Sequence, residues 1–146
     1  MLELYQGPLP VAEILGRWYE SGRSKNYGAY ITFVGTVRDE NGIEGLSFDV
    51  YRPILEKWLE GWRLKAAARN AVVAMAHSEG DVPLFCTSYI AAVWSPKRRV
   101  ALEMIDEFVE DFKAQAPIWK YDLRDSKRVF AADRCHALEG SGLLKA

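Results

Sequence analysis

The hydrophobic period of this chain switches between 3.6 and 2 in a fixed order, and that order leaves few architectures open. From Pro10 to Lys25, Val11, Ile14, Leu15, Trp18 and Tyr19 fall at helical spacing and end in Ser21-Gly22, which predicts a first helix. GAYITFVGTVR (28–38) then reads as a strand and LSFDVY (46–51) as another. Asp39-Glu-Asn-Gly42 between them predicts a hairpin. Pro53 opens a second helix with Leu55, Trp58, Leu59 and Trp62 on one face, the Trp pair being read as core or subunit packing. AVVAMAH (71–77) and LFCTSYIAAVW (84–94) read as strands joined across residues 78–83. Ser95-Pro96 is expected to cap a third helix striped by Ala101, Ile105, Phe108 and Phe112. Pro117 forces its predecessor out of helical geometry, so this helix should stop near Ala116. Residues 118–123 and 128–131 close the pattern as two short strands. Strands in consecutive pairs, separated by single helices, predict an α+β fold with a mainly antiparallel sheet and three helices. No repeat or linker interrupts them, so residues 1–146 read as one domain.

Charge narrows the function. With 19 basic and 20 acidic residues the formal net charge is −1, which gives no overall basic field for nucleic acid or an anionic membrane. An anion site must therefore be local. No apolar run approaches the ~20 residues that span a bilayer, and MLELYQGPLP lacks the pattern of a signal peptide, so a cytoplasmic protein is expected. The two cysteines, Cys86 and Cys135, are far apart and suggest neither a disulfide framework nor a zinc site. Cys86 reads as a core thiol. Cys135 beside His136 sketches a nucleophile and base, although neighbours in a strand point to opposite sides.

The cations are placed unusually. Lys97, Arg98 and Arg99 share the opening turn of the third helix, where the macrodipole is already positive and each exposed cation is disfavoured by about 0.3 to 1 kcal/mol. Beside free backbone N–H groups they make either a receptor for phosphate or carboxylate or a solvated surface cluster. At the other end, Lys113 lies on the face of Leu102, Asp106 and Val109, at the edge of the apolar stripe, where it is expected to be half buried. Beyond Pro117 the period of two puts Lys120 with Ile118 and Asp122. Two readings stay open: a sharp turn at the proline brings both lysines to one pocket, or they are an exposed lysine at the helix C-terminus and an unrelated strand lysine. Arg38 ends the 28–38 strand in phase with Tyr30, Thr32, Val34 and Thr36, and Gly35 leaves room for a close approach to the backbone.

Together these stretches resemble the large subunit of molybdopterin synthase, from about Gly28 to Arg134. Phe33-Val-Gly-Thr-Val-Arg38 matches an F-x-G-x-V-R strand end, and Asp111-Phe-Lys-Ala-Gln-Ala-Pro-Ile-Trp-Lys120 matches the family segment that opens on Asp and ends in K-x-x-x-P-x-W-K. Asp49-Val-Tyr51 and His77 to Gly80 follow in the family's order. The resemblance implies an α/β-hammerhead-like fold and a sulfurtransferase that converts cyclic pyranopterin monophosphate to the dithiolene molybdopterin. The sulfur would come from the C-terminal thiocarboxylate of a small ubiquitin-like subunit. It further implies Lys113 and Lys120 as catalytic residues, with Phe33, Arg38, Lys97 and Arg98 binding substrate. The implied assembly is a homodimer within a heterotetramer, in which Lys97 and Arg98 reach the opposite protomer's pocket. No metal or organic cofactor is required. Pro96-Lys97-Arg98 stands where the family commonly has Ala-His-Arg, and His77-Ser78 where it has His-Arg. Two rivals are a non-catalytic module binding RNA or a phosphorylated partner, and a thiol enzyme using Cys135 and His136.

Overall fold

The computed structural model describes residues 1–131, so Cys135 and His136 lie outside the described residues. Its elements run β1 (Leu2–Gln6), α1 (Val11–Gly22), β2 (Ala29–Thr36), β3 (Gly45–Val50), α2 (Arg52–Ala67), β4 (Val72–Pro83), β5 (Thr87–Ser95), α3 (Arg98–Gln115), β6 (Ile118–Arg124) and β7 (Lys127–Phe130). All seven strands join one sheet in the order β2-β5-β4-β3-β6-β7, antiparallel throughout except that β1 pairs parallel to β4.

β4 organises this sheet. One of its edges pairs with β5 from Val72 to His77, and the other is shared by β1 over Met75–Glu79 and β3 over Gly80–Pro83. Gly80, with φ of +78°, marks the hand-over, a left-handed position that a side chain would strain. Residues 78–83, expected as a connection, are therefore strand. β1 was not anticipated at all.

The predicted hairpin between residues 28–38 and 46–51 does not form. β2 pairs with β5, and β3 pairs with β4 and β6. The turn signal is nonetheless real locally, because Asn41 and Gly42 both have positive φ and Ile43 N–H donates to Glu40 C=O. β2 departs from it because β5 buries seven successive residues, Thr87 to Val93, and needs a partner on each edge. A bulge between Gly35 and Thr36 also breaks the alternation that put Arg38 in phase with Tyr30.

Helices cover both faces. On one side α1 packs Ile14 and Trp18 against Ala76, Ile90 and Ala92. Glu3 fastens it to β1 by accepting from both terminal nitrogens of Arg17 at 2.6 and 2.8 Å and from the Trp18 indole at 2.8 Å. These bonds hold the Glu3 carboxyl at about 2, the Arg17 hydrogen bond being the largest cause. On the other side α2 buries Leu55, Leu59, Trp62 and Ala66, an i, i+4, i+7, i+11 stripe, and α3 buries Ala101, Met104 and Phe108. Both rest on Val73, Met75, Ala91 and Val93. Each fully buried aliphatic or aromatic side chain of this kind contributes roughly 1.5 to 3 kcal/mol.

Candidate active site around the end of α3

Helix α3 stops as expected. Pro117 leaves Ala116 extended (φ −69°, ψ 141°), and β6 starts at once. Five aromatic rings gather at this end. Phe112 of the last turn stacks on Tyr89 of β5 at 4.2 Å, and Tyr89 meets Phe33 of β2 at 5.7 Å. His77 of β4 lies 5.6 Å from Phe112 and takes the ring of Phe48 edge-on at 4.9 Å. Gly35 makes room for this arrangement, since a Cβ there would sit 3.5 Å from the Tyr89 Cβ and 3.3 Å from the Phe33 ring.

The two lysines are placed relative to this cluster by α3 and β6. Lys113 follows Phe112 directly, and Lys120 is the cross-strand partner of Phe48, so its side chain leaves the same face of the sheet. The stop at Pro117 separates the two positions, Lys113 on the last turn of α3 and Lys120 on β6. Lys113 is exposed rather than half buried, because the helix ends before any element covers that face; Lys120 is partly buried. Phe33, 39% exposed, completes one wall. A cavity of about 450 Å³ opens beyond Phe48, lined also by Gln6, Asp49, Val50, Glu79 and Gly80.

The other expected residues lie apart. Arg38 is exposed beyond the β2 bulge and forms an ion pair with Glu40. Lys97 is the N-cap of α3 rather than part of its first turn, and Arg98 and Arg99 follow it. Ser95, expected to help cap the helix, instead donates its hydroxyl to the Lys97 carbonyl at 2.6 Å, and no side chain caps the helix N-terminus. Fifteen residues at 1.5 Å each separate the Arg98 and Lys113 backbones by about 22 Å along α3.

Two members of the floor have unusual chemistry. His77 is buried with its Nδ1 2.8 Å from the Ser78 carbonyl oxygen, and burial lowers its pKa to about 4 despite that contact. It is neutral at pH 7 and accordingly no cation for an anion site. Burial drives Tyr89 well above the usual phenol range, and its hydroxyl has no hydrogen-bond partner among the described residues. Sequence reasoning noticed His77 through the family resemblance, as the start of a matching stretch and as half of a departing pair, and missed Tyr89 and Phe112 as site components. The strand character of β5 was legible, but the meeting of β2, β3, β4, β5 and α3 at one point was not. Cys86, read as a core thiol, is partly buried against Val37, Phe48 and Val82. Among the described residues no group of His, Cys, Asp and Glu is arranged to hold a metal, and no helix is long and apolar enough to cross a membrane.

Fold and site define an α+β subunit with cations at both ends of its longest helix, one end set on an aromatic floor. Comparison with known proteins gives that class a family. The MoaE protein family matches residues 5–115. The molybdopterin synthase catalytic subunit of Helicobacter pylori (strain ATCC 700392 / 26695) is 47% identical over 144 residues, covering 99% of each chain. A solved protein–protein complex of subunits 1 and 2 of the molybdopterin-converting factor from Helicobacter pylori 26695 contains a chain that superposes with a TM-score of 0.91 at 47% identity over 98% of each chain. Molybdopterin synthase from Staphylococcus aureus, 23% identical, shares the fold with a TM-score of 0.75 over 88% of this chain and 94% of that one. The chain belongs to the MoaE protein family, and this kinship favours the enzyme over a nucleic-acid or phosphate-binding module.

Proposed function

We propose that this chain is the sulfur-transferring large subunit of a molybdopterin synthase, with Lys113 and Lys120 as its catalytic residues. The substrate is cyclic pyranopterin monophosphate and the product its dithiolene. The sulfur donor is the C-terminal thiocarboxylate of a small ubiquitin-like subunit, a partnership supported by the two-subunit complex of the Helicobacter pylori relative. The observation that supports this reading is that Lys120 is the cross-strand partner of Phe48, whose ring joins through His77 to Phe112 in the same last turn of α3 as Lys113.

Both reactants are anions, so their approach costs Coulomb repulsion that fixed ammonium groups remove. Transfer from the thiocarboxylate builds negative charge on the acyl oxygen, and an ammonium aimed there stabilises it where water is excluded. Lys113, on the rim, takes that role toward the incoming tail. Lys120, partly buried, passes protons during sulfur attack and loss of phosphate. Phe33 supplies an apolar wall, and Arg38 grips phosphate through its guanidinium in exchange for its contact with Glu40.

Lys97 and Arg98 serve the site of a second copy. The separation of about 22 Å along α3 supports this, since these cations reach a lysine pocket only across a dimer interface. Two large and two small subunits then form the working assembly.

The test is turnover with thiocarboxylated partner and pterin precursor. Lys113→Ala and Lys120→Ala should each keep the fold and partner binding while losing at least ~100-fold in dithiolene formation, the scale of removing one preorganised charge-stabilising group. Lys→Arg at Lys120 should fail as well, because the charge remains but the titratable amine is gone. Full dithiolene yield from either alanine variant would overturn the assignment.

A further inference from the structure

Asp111 stands two residues before Lys113, near the negative end of the α3 dipole, where a carboxylate is unfavourable for the helix. Its placement has a different use. Its Oδ2 accepts the indole N–H of Trp58 at 3.0 Å and of Trp62 at 2.7 Å. Trp58 and Trp62 are one α2 turn apart and present both donors from one face. Their rings enclose the same stretch of α3: Trp58 lies 5.2 Å from Phe108 and 5.7 Å from Phe112, and Trp62 lies 5.3 Å from Phe108. Phe112 is consequently wedged between Trp58 on α2 and Tyr89 on β5.

We infer that Asp111 is a positioning residue for sulfur transfer: gripped by the two indoles, it fixes the rotation and height of the last turn of α3 and so aims Lys113. The apolar contacts alone allow α3 to slide along its axis or turn slightly, since dispersion and burial are non-directional. Two charge-assisted hydrogen bonds to a single oxygen are directional and remove that freedom. Lys113 is exposed among the described residues, so its placement there is inherited from the turn that carries it. This inference rests on the catalytic assignment of Lys113 above.

Three readouts on the full chain with its small partner separate the possibilities. Asp111→Ala should lower turnover per folded molecule on the order of 10²-fold, the scale of misplacing a reacting group by ~1 Å, with partner affinity unchanged. Asp111→Asn keeps an acceptor oxygen and should recover most of that loss. Amide exchange across residues 112–116 should rise about tenfold in Asp111→Ala and much less in Asp111→Asn. A purely structural role would lower the melting temperature without altering turnover of the folded fraction. Faster exchange with unchanged turnover therefore overturns the positioning role, and unchanged exchange overturns the clamp itself. Equal impairment of the Asn and Ala variants would mean that charge rather than the indole grip matters, and would also overturn it. Lys113→Ala, run alongside, isolates the underlying assignment: if it retains turnover, that assignment has failed whatever the exchange data show. Should Asp111→Ala not fold, the Trp58→Phe/Trp62→Phe pair removes both donors while keeping aromatic bulk and must reproduce both effects.

Discussion

The two ends of α3 solve opposite problems. Its start carries Lys97, Arg98 and Arg99, all exposed, with no side-chain cap and no acidic partner among the described residues. Its last turns are held by aromatic stacking, two indole hydrogen bonds and a proline stop. One end presents charge with little to hold it, and the other presents a fixed platform with a lysine on its rim. Neither alone has both the cations to collect a doubly anionic reaction mixture and the rigidity to align it. The difference is what the proposed arrangement uses, in which the platform of one molecule is completed by the loose cations of another.

The sharpest way to break this comparison is complementation. Lys113→Ala and Arg98→Ala chains, each impaired alone, should regain activity when unfolded and refolded together. Random pairing makes half the dimers mixed, and each mixed dimer holds one intact site, so about a quarter of wild-type turnover is expected. No recovery would place both ends in one chain's site and refute the shared arrangement.

Acid should act on the platform end first. His77 is held neutral with a folded pKa near 4, below its ordinary 6.5. Its unfolded form takes up a proton first, so the stability associated with the neutral ring is fully present above pH 6.5 and is lost as pH falls toward 4, by about 3 kcal/mol. Glu3 contributes in a lower window, its stabilisation present above pH 4.5 and lost toward pH 2, and it acts on α1 rather than α3. Thermal midpoints recorded from pH 7 to pH 4 should fall steeply for the wild type and more gently for His77→Gln. Equal slopes would show that the ring titrates normally.

The smallest effect belongs to the loose end. Ser95→Ala removes the hydroxyl that donates to the Lys97 carbonyl, and the loss should be about 1 kcal/mol in denaturant midpoint, without change in turnover. A larger loss would show that the start of α3 is held more firmly than its exposed cations suggest.

Local chemistry was readable from the chain, and long-range pairing was not. Pro117 announced the helix stop and the change of period at Ile118 because both act within a few residues. The turn at Asn41-Gly42 was equally legible, yet the strands around it found other partners, since β5 demands two neighbours for reasons no short stretch displays. The cations could be recognised by type and position. Their grouping could not, because the aromatic floor draws on residues as far apart as Phe33 and Phe112. Asp111 illustrates the limit: its place in the 111–120 stretch was visible, but only the meeting of α2 with α3 turns it into an anchor.

The parallel pairing of β1 with β4 has a consequence for how the protein is made. The register joins Leu2 to Met75, so during synthesis at ~5 to 20 residues per second the first strand emerges roughly four to fifteen seconds before its docking edge exists. Leu2 and Leu4, which end against the core, are exposed meanwhile as a short sticky segment on the nascent chain. Closing so distant a contact is slow, which makes β1 a late arrival and a natural target for whatever guards newborn chains.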